Sequence, residues 1–352
     1  MASIKLENLT KEYDEAVAVR DVNLEIKDGE FLSVVGPSGC GKSTLLRLIA
    51  GLETPSDGRI YIDGNDAEGV APSERNVAMV FQNNSLYAYM NVYKNIAVGL
   101  EAKGVPKDEI ESRVKRAAET LGISELLPRS PRNLSGGESQ RVALGRAMVR
   151  DCGILLLDEP LSDLDASMRT DLRVEMMALH KKLGATFVYV THDQTEALTM
   201  GDRLAVMRSG IIEQADTPQT VYDRPCNTFV AGFIGNRMNL LDAEIKDAGG
   251  GRKIEMCGAD FDFDPAGPDT GAVTAGFRPE DVDISQNGYG LRAQVVMGEL
   301  VGSAVLLHTI CHGQKVVVQT EHDTVYLPGQ DIVLAPDFNK IHLFNKETGR
   351  RI

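Results

Sequence analysis

Gly36-Pro37-Ser38-Gly39-Cys40-Gly41-Lys42-Ser43-Thr44 fits the spacing G-x-x-x-x-G-K-[ST]. Glycines let a backbone curl until several N–H groups point inward at phosphate oxygens. A helix starting at the end of such a loop adds the positive end of its dipole. Lys42 would reach the β- and γ-phosphates of a nucleotide, and Ser43 would ligate Mg²⁺. The flanks are those the motif requires: an apolar strand, Phe31–Val35, before it and an apolar helix, Leu45–Ala50, after it. Cys40 reads as a small loop residue rather than a redox centre.

A second set of chemistry-bearing residues lies about 120 residues downstream, where the apolar run Ile154-Leu155-Leu156-Leu157 ends in Asp158-Glu159-Pro160. Asp158, at a strand tip, suits an outer partner of Mg²⁺ through water. Glu159 points elsewhere and is placed to polarise an attacking water, a general-base contribution of roughly 10²–10⁴ in rate.

Leu134-Ser135-Gly136-Gly137-Glu138-Ser139-Gln140-Arg141 starts a helix. Ser135 with Glu138 three residues on makes a capping box. A cap does not need two glycines, and two glycines before a helix N-terminus make a second anion site. This segment resembles the L-S-G-G-Q signature of the ABC ATPases. The resemblance implies that Ser135, Gly136, Gly137 and Glu138 act in trans, against the γ-phosphate held by the opposite subunit of a homodimer. Glu138 departs from the usual Gln, placing extra negative charge near the nucleotide. Further matches follow the same family. Val80-Phe81-Gln82 resembles the Q-loop, with Gln82 touching Mg²⁺ or the attacking water. Leu161-Ser162-Asp163-Leu164-Asp165 resembles the D-loop, with Asp163 where Asn or Ala is more usual. Tyr189-Val190-Thr191-His192-Asp193 places His192 as the switch histidine on the γ-phosphate. Asp193 and Glu196 read as another helix cap. Tyr13 stands at the family's place for an aromatic stacked on adenine.

Leu86-Tyr87-Ala88-Tyr89-Met90-Asn91-Val92 resembles an importer pattern in which Pro-His stands where Ala88-Tyr89 is found here. Phe233-Ile234-Gly235-Asn236, Met238-Asn239-Leu240-Leu241, Gly276-Phe277-Arg278-Pro279-Glu280 and Glu299-Leu300-Val301-Gly302 resemble the C-terminal regulatory domain of sugar-importer ATPases. The resemblance implies an ATP- and Mg²⁺-dependent ATPase energising uptake of a carbohydrate or related solute: a sugar, oligosaccharide, polyol or glycerol-phosphate-like compound. Its partners would be two transmembrane permease subunits and, indirectly, an extracytoplasmic solute-binding protein. It would sit peripherally on the cytoplasmic face of the cell membrane. An importer of a polyamine, metal or oxyanion is the alternative, because the solute never touches such a chain. A soluble ABC ATPase acting on DNA or ribosomes fits less well, since neither a second cassette nor a long coiled coil is present.

Positioning these residues needs an α/β fold. Phe31–Val35, Ile154–Leu157 and Thr186–Val190 are unbroken apolar runs, the mark of parallel strands covered by helices on both faces. Asp28-Gly29 reads as a hairpin turn between Leu24–Ile26 and Phe31–Val35. Residues 86–150 read as a charge-rich helical subdomain, and Ser167–Leu183 as a helix. The nucleotide-binding domain is thus expected over 1–235. From 236 to 352 the strands become short and are set apart by Gly, Pro and Asp: Ala293–Val296, Ala304–Ile310, Lys315–Gln319 and Ile332–Ala335. That texture predicts a small all-β barrel, OB-like, for regulation or dimerisation.

Bulk properties narrow the class. The 352 residues carry a net charge of −14, the reverse of a nucleic-acid binder's basic face, so no nucleic-acid partner is expected. Five scattered cysteines without a C-x-x-C pair give neither a disulfide framework nor a zinc site. The N-terminus lacks the apolar core of a signal peptide. No apolar run approaches the ~18 residues of a membrane span.

Overall fold

The computed structural model describes residues 2–83, 85–150, 152–162, 164–247, 251–263, 270–285, 288–321 and 325–352. The chain divides into two compact units, Met1–Gln219 and Thr220–Ile352.

The first unit opens with strands β1 (Ile4–Tyr13), β2 (Ala16–Ile26) and β3 (Phe31–Val35), helix α1 (Lys42–Ala50), then β4 (Asp57–Ile62), β5 (Asn65–Asp66) and β6 (Val77–Val80). Helices α2 (Val92–Ala102), α3 (Lys107–Thr120) and α4 (Gly136–Met148) follow. Next come β7 (Ile154–Asp158), α5 (Ala166–Leu183), β8 (Thr186–Thr191), α6 (Gln194–Met200), β9 (Arg203–Arg208) and β10 (Ile211–Asp216). Two sheets result. β2-β1-β4-β5 is antiparallel, and β10-β9-β3-β8-β7-β6 is parallel throughout except for its β10–β9 edge pair.

The Asp28-Gly29 hairpin does not form: β2 and β3 belong to different sheets. The burial patterns give the reason. β2 alternates buried and exposed residues and pairs antiparallel with β1, whereas all five residues of β3 are buried, so its pairing must be central and its faces covered. β3 runs parallel to β8 on one side and β9 on the other. α1 seats Leu45, Leu46, Leu48 and Ile49, all at 0% exposure, in the core shared with β3, β7 and β8. Each is worth about 1.5–3 kcal/mol by burial. α2, α3 and α4 enclose a separate apolar core built on Val92, Ile96, Val114 and Val142, giving the helical insertion its own packing.

In the second unit, α7 (Pro218–Asp223) carries the chain in from the first and α8 (Thr228–Phe233) follows. Then come β11 (Asn239–Asp247), β12 (Arg252–Met256), β13 (Ala259–Asp262), β14 (Gly271–Phe277), β15 (Val282–Ile284), β16 (Leu291–Val301), β17 (Ala304–Cys311), β18 (Gln314–Glu321), β19 (Asp331–Pro336) and β20 (His342–Asn345). They form two five-stranded antiparallel sheets, β13-β12-β11-β14-β20 and β15-β19-β16-β17-β18, closed over one core that takes Leu241, Phe261 and Phe277 from the first and Leu291, Val295 and Leu334 from the second.

The compact division falls ahead of residue 235, where the sequence texture changes. Arg278, buried at 3% exposure, is the cause. Its guanidinium donates to the carbonyls of Tyr222, Ile234 and Asn236 at 2.9, 2.6 and 2.6 Å, and lies 4.0 Å over the Tyr222 ring. This ties α7 and α8 to the β unit. Charged donors to buried carbonyls are among the stronger hydrogen bonds.

Candidate functional site

Because β3, β6, β7 and β8 run parallel, their carboxyl ends share one edge of the sheet, where open α/β sheets bind ligands. The register is set by runs of matched pairs, Val35↔Thr191 and Asp158↔Val190 among them. The loop 36–41 leaves β3, Gln82 follows β6 by two residues, Asp158-Glu159 closes β7, and His192 follows β8.

The glycine-rich loop is wedged against backbone. A Cβ on Gly36 would meet the Met207 carbonyl oxygen at 2.2 Å, and one on Gly41 the Ala18 carbonyl oxygen at 2.0 Å, with Gly41 at φ +107°. Gly39, at φ +77°, has open space beside it. Pro37, Ser38 and Gly39 are exposed while Gly36, Cys40 and Lys42 are buried, so the loop presents its crest and anchors its ends. Cys40 packs inward; burial raises its thiol pKa above the usual value, which makes it unreactive. Thr44 is half-buried in the first turn of α1. Lys42 donates to the carbonyls of Gly36 and Pro37 at 2.8 and 3.1 Å, with the Glu159 carboxylate 4.0 Å away.

Ser43 Oγ donates to Asp158 Oδ1 at 2.8 Å, although the two are 115 residues apart in sequence. Burial raises the Asp158 pKa, and the Ser43 hydrogen bond partly opposes it. This pair of hard oxygens suits Mg²⁺, which keeps most of its waters or substrate oxygens and takes one or two protein ligands. The described residues hold no group of three or more His, Cys, Asp or Glu that could cage a metal.

Glu159 adopts φ +44°, a left-handed conformation uncommon outside glycine. Its N–H donates to Val190 O at 2.9 Å, and its carbonyl accepts from the Ser162 hydroxyl at 3.0 Å. Its carboxylate meets His192 Nδ1 at 2.7 Å. Strain of this kind persists where the surroundings over-determine it, and here it aims the carboxylate at the end of β8. Glu196 does not complete a cap with Asp193. Asp193 alone accepts from the N–H groups of Thr195 and Glu196, at 2.8 and 3.2 Å. Glu196 is buried and accepts from the hydroxyls of Tyr189 and Thr191 at 2.7 and 2.6 Å, because a carboxylate in that core must be satisfied by its neighbours.

The signature segment has the capping box read from its sequence. Ser135 Oγ accepts from Glu138 N at 3.3 Å, and Glu138 Oε2 accepts from Ser135 N at 2.7 Å. These bonds, the Ser135 N–H first, hold the Glu138 carboxyl below the usual range. Gly136 and Gly137 abut Leu164 and Met168, where a Cβ would approach to 2.9 and 2.5 Å. Asp165 caps α5, accepting from Met168 N at 3.0 Å. Asp163 lies outside the described residues. Gln82 is exposed beyond β6. Tyr13, 39% exposed, ends β1 with the Lys11 ammonium 4.9 Å over its ring.

Two contributors were given no role by the sequence, Arg169 outside any motif and Ser162 within the D-loop. Arg169, one turn into α5, donates to the Leu164 carbonyl and to Asp193 at 3.1 Å each, linking the segment after Glu159 to the segment after His192. Ser162 supports Glu159 from within the same turn. Neither role follows from residue type or spacing, so only the fold exposes them.

Residues 19–162 match the ABC transporter family and residues 275–344 the TOBE domain family. The chain is 45% identical, over the whole of both chains, to a trehalose/maltose import ATP-binding protein of Thermococcus litoralis. It is 47% identical to an sn-glycerol-3-phosphate import ATP-binding protein of Ruegeria pomeroyi, covering 100% of this chain and 99% of that one. An oligosaccharides import ATP-binding protein of Bacillus subtilis is 44% identical with full coverage of both. Among solved structures, a dimeric ATP-binding cassette in a post-hydrolysis state with ADP and Pi matches with TM-score 0.55 and 31% identity, covering 61% of this chain and 98% of that one.

Proposed function

This chain belongs to the ABC transporter ATP-binding family, and from that premise we propose that it hydrolyses ATP to drive import of a carbohydrate or glycerol-phosphate-like solute through separate permease subunits. The observation that carries the reading is the meeting of Lys42, the Ser43–Asp158 pair and the Glu159–His192 pair at one sheet edge.

In the proposed mechanism the N–H groups of the loop and the Lys42 ammonium hold the β- and γ-phosphates of ATP. Ser43, Asp158 and Gln82 would hold Mg²⁺, which would supply positive charge to the phosphate oxygens. Glu159 orients water and takes its proton as the oxygen adds to the γ-phosphorus and the bond to the bridging oxygen breaks, giving ADP and phosphate. His192, bonded to Glu159, fixes that carboxylate and reaches the γ-phosphate. Tyr13 stacks on adenine. Ser135, Gly136, Gly137 and Glu138 serve the nucleotide of a second copy, with Asp165 at the facing D-loop, so the working form is a homodimer. Its place is the cytoplasmic face of the membrane, held there by permeases. In support, no described helix is long and apolar enough to cross a membrane.

The test is uptake by cells lacking the gene, across sugars, polyols, sugar phosphates and polyamines. Loss of uptake of one carbohydrate, restored by the wild-type gene and not by Glu159→Gln, is the expected result. Selective loss of polyamine uptake would overturn the solute class.

A further inference from the structure

Two cysteines that no part of the nucleotide site uses meet in the second unit. Cys257 and Gly258 form the two-residue turn between β12 and β13, both at positive φ, +51° and +74°. His312 and Gly313 form the equivalent turn between β17 and β18, at φ +49° and +83°, with Cys311 the residue before it. These turns belong to different sheets. Tight turns with two left-handed residues favour Asn-Gly or Asp-Gly; nothing in turn chemistry asks for cysteine at 257.

The turns are pressed together. A Cβ on Gly258 would lie 3.0 Å from the His312 ring, so glycine permits the approach. Gln314, paired with Cys311 across the second turn, accepts from Asp242 N at 2.9 Å and lies 3.9 Å from Cys257 Sγ. The Cys257 thiol donates to the Cys311 carbonyl at 3.5 Å. Cys257 and Cys311 are not disulfide-bonded in this structure. Cys257 is half-buried and Cys311 fully buried.

We propose that Cys257 and Cys311 form a reversible disulfide that staples the two sheets of the second unit. The oxidant is a small-molecule disulfide. The accessible Cys257, as thiolate, attacks one of its sulfurs and expels one small thiolate, leaving a mixed disulfide. Cys311 then attacks the Cys257 sulfur and expels the second. The two cysteine protons end on the two released thiols, so two protein thiols are oxidised and one small disulfide is reduced. The hydrogen bond to Cys311 raises the Cys257 pKa, so the first exchange is the slow one.

The test is to incubate the full chain with glutathione disulfide, unfold it, titrate its thiols and map the linkage by peptide mass. The expected result is a fall from five free thiols to three, a Cys257–Cys311 linked peptide, and reversal by dithiothreitol. The bond closes a loop of 54 residues, so melting of the oxidised second unit should rise by about 10 °C. Cys257→Ser, at the half-buried position, should fold and keep four thiols throughout. Five thiols remaining, glutathione retained on Cys257 without linkage, a linked pair elsewhere, or a linked pair with unchanged melting would each overturn the proposal.

Discussion

The two units solve opposite problems with buried charge. In the first, ionisable groups of both signs crowd one sheet edge. Asp158 is raised by burial, Lys42 is held mainly by carbonyls, and Glu159 sits in a left-handed conformation. In the second, Arg278 is buried just as deeply but stands apart from any acid cluster: its two terminal nitrogens donate to backbone carbonyls, its plane covers the Tyr222 ring, and its Nε makes no hydrogen bond. Ionisable groups gathered at one edge are available to a ligand; a lone cation set among backbone carbonyls holds elements together. The contrast separates a site from a staple better than burial does.

The largest effect that could break this contrast lies in the first unit. Glu159→Gln should lower kcat for ATP hydrolysis by about 10²–10⁴, measured as phosphate release, and leave thermal melting nearly unchanged. With Mg²⁺ and ATP the same variant should accumulate as a dimer in sedimentation; a chain that stays monomeric there would argue against the trans site.

Next is Arg278→Leu. It strands three carbonyls and should cost about 3 kcal/mol in denaturant unfolding of the second unit. Hydrolysis at low temperature should persist. If hydrolysis fell with stability intact, Arg278 would be more than a staple.

The pH dependence sharpens the comparison further. Burial, followed by the neighbouring Arg351 and Arg278, pushes the His342 pKa down to about 4. His342 is therefore neutral in the folded state, while an unfolded His takes up its proton below about 6.5. Stability of the second unit should be full above that value and decline as pH falls toward about 4. His342→Gln should flatten the decline in melts from pH 7 to 4. Asp158 has the opposite sign. Its folded pKa is raised, so its charge weakens the fold above the usual carboxylate range, and Asp158→Asn should raise melting of the nucleotide-free chain while removing Mg²⁺-dependent hydrolysis.

The smallest effect tests whether the signature helix start is only a cap. Ser135→Ala should cost about 1 kcal/mol. Glu138→Gln keeps the capping box and should change stability by a few tenths of a kcal/mol. If hydrolysis rises in Glu138→Gln, its charge acts on the nucleotide rather than on the helix.

Much of this was legible in the sequence because the signals are local. The helix Lys42–Ala50, the capping box at Ser135 and the apolar runs of β3, β7 and β8 follow from contiguous residues. Asp28-Gly29 misled because a turn-forming pair does not specify which strand comes next; the unbroken burial of β3 overrode it. Glu196 misled because a capping spacing says nothing about which core hydroxyls compete for its carboxylate.

By itself, then, the sequence determined the phosphate loop, the acids, the signature and the change of texture into a β unit, since each depends on residue types at fixed short spacing. Only the tertiary structure decided that Ser43 meets Asp158, that Glu159 turns toward His192, that Arg278 claims α7 and α8, and that Cys257 meets Cys311. These contacts span tens of residues or more. Their geometry is set by strand register and by which groups compete for burial, and no local pattern encodes either.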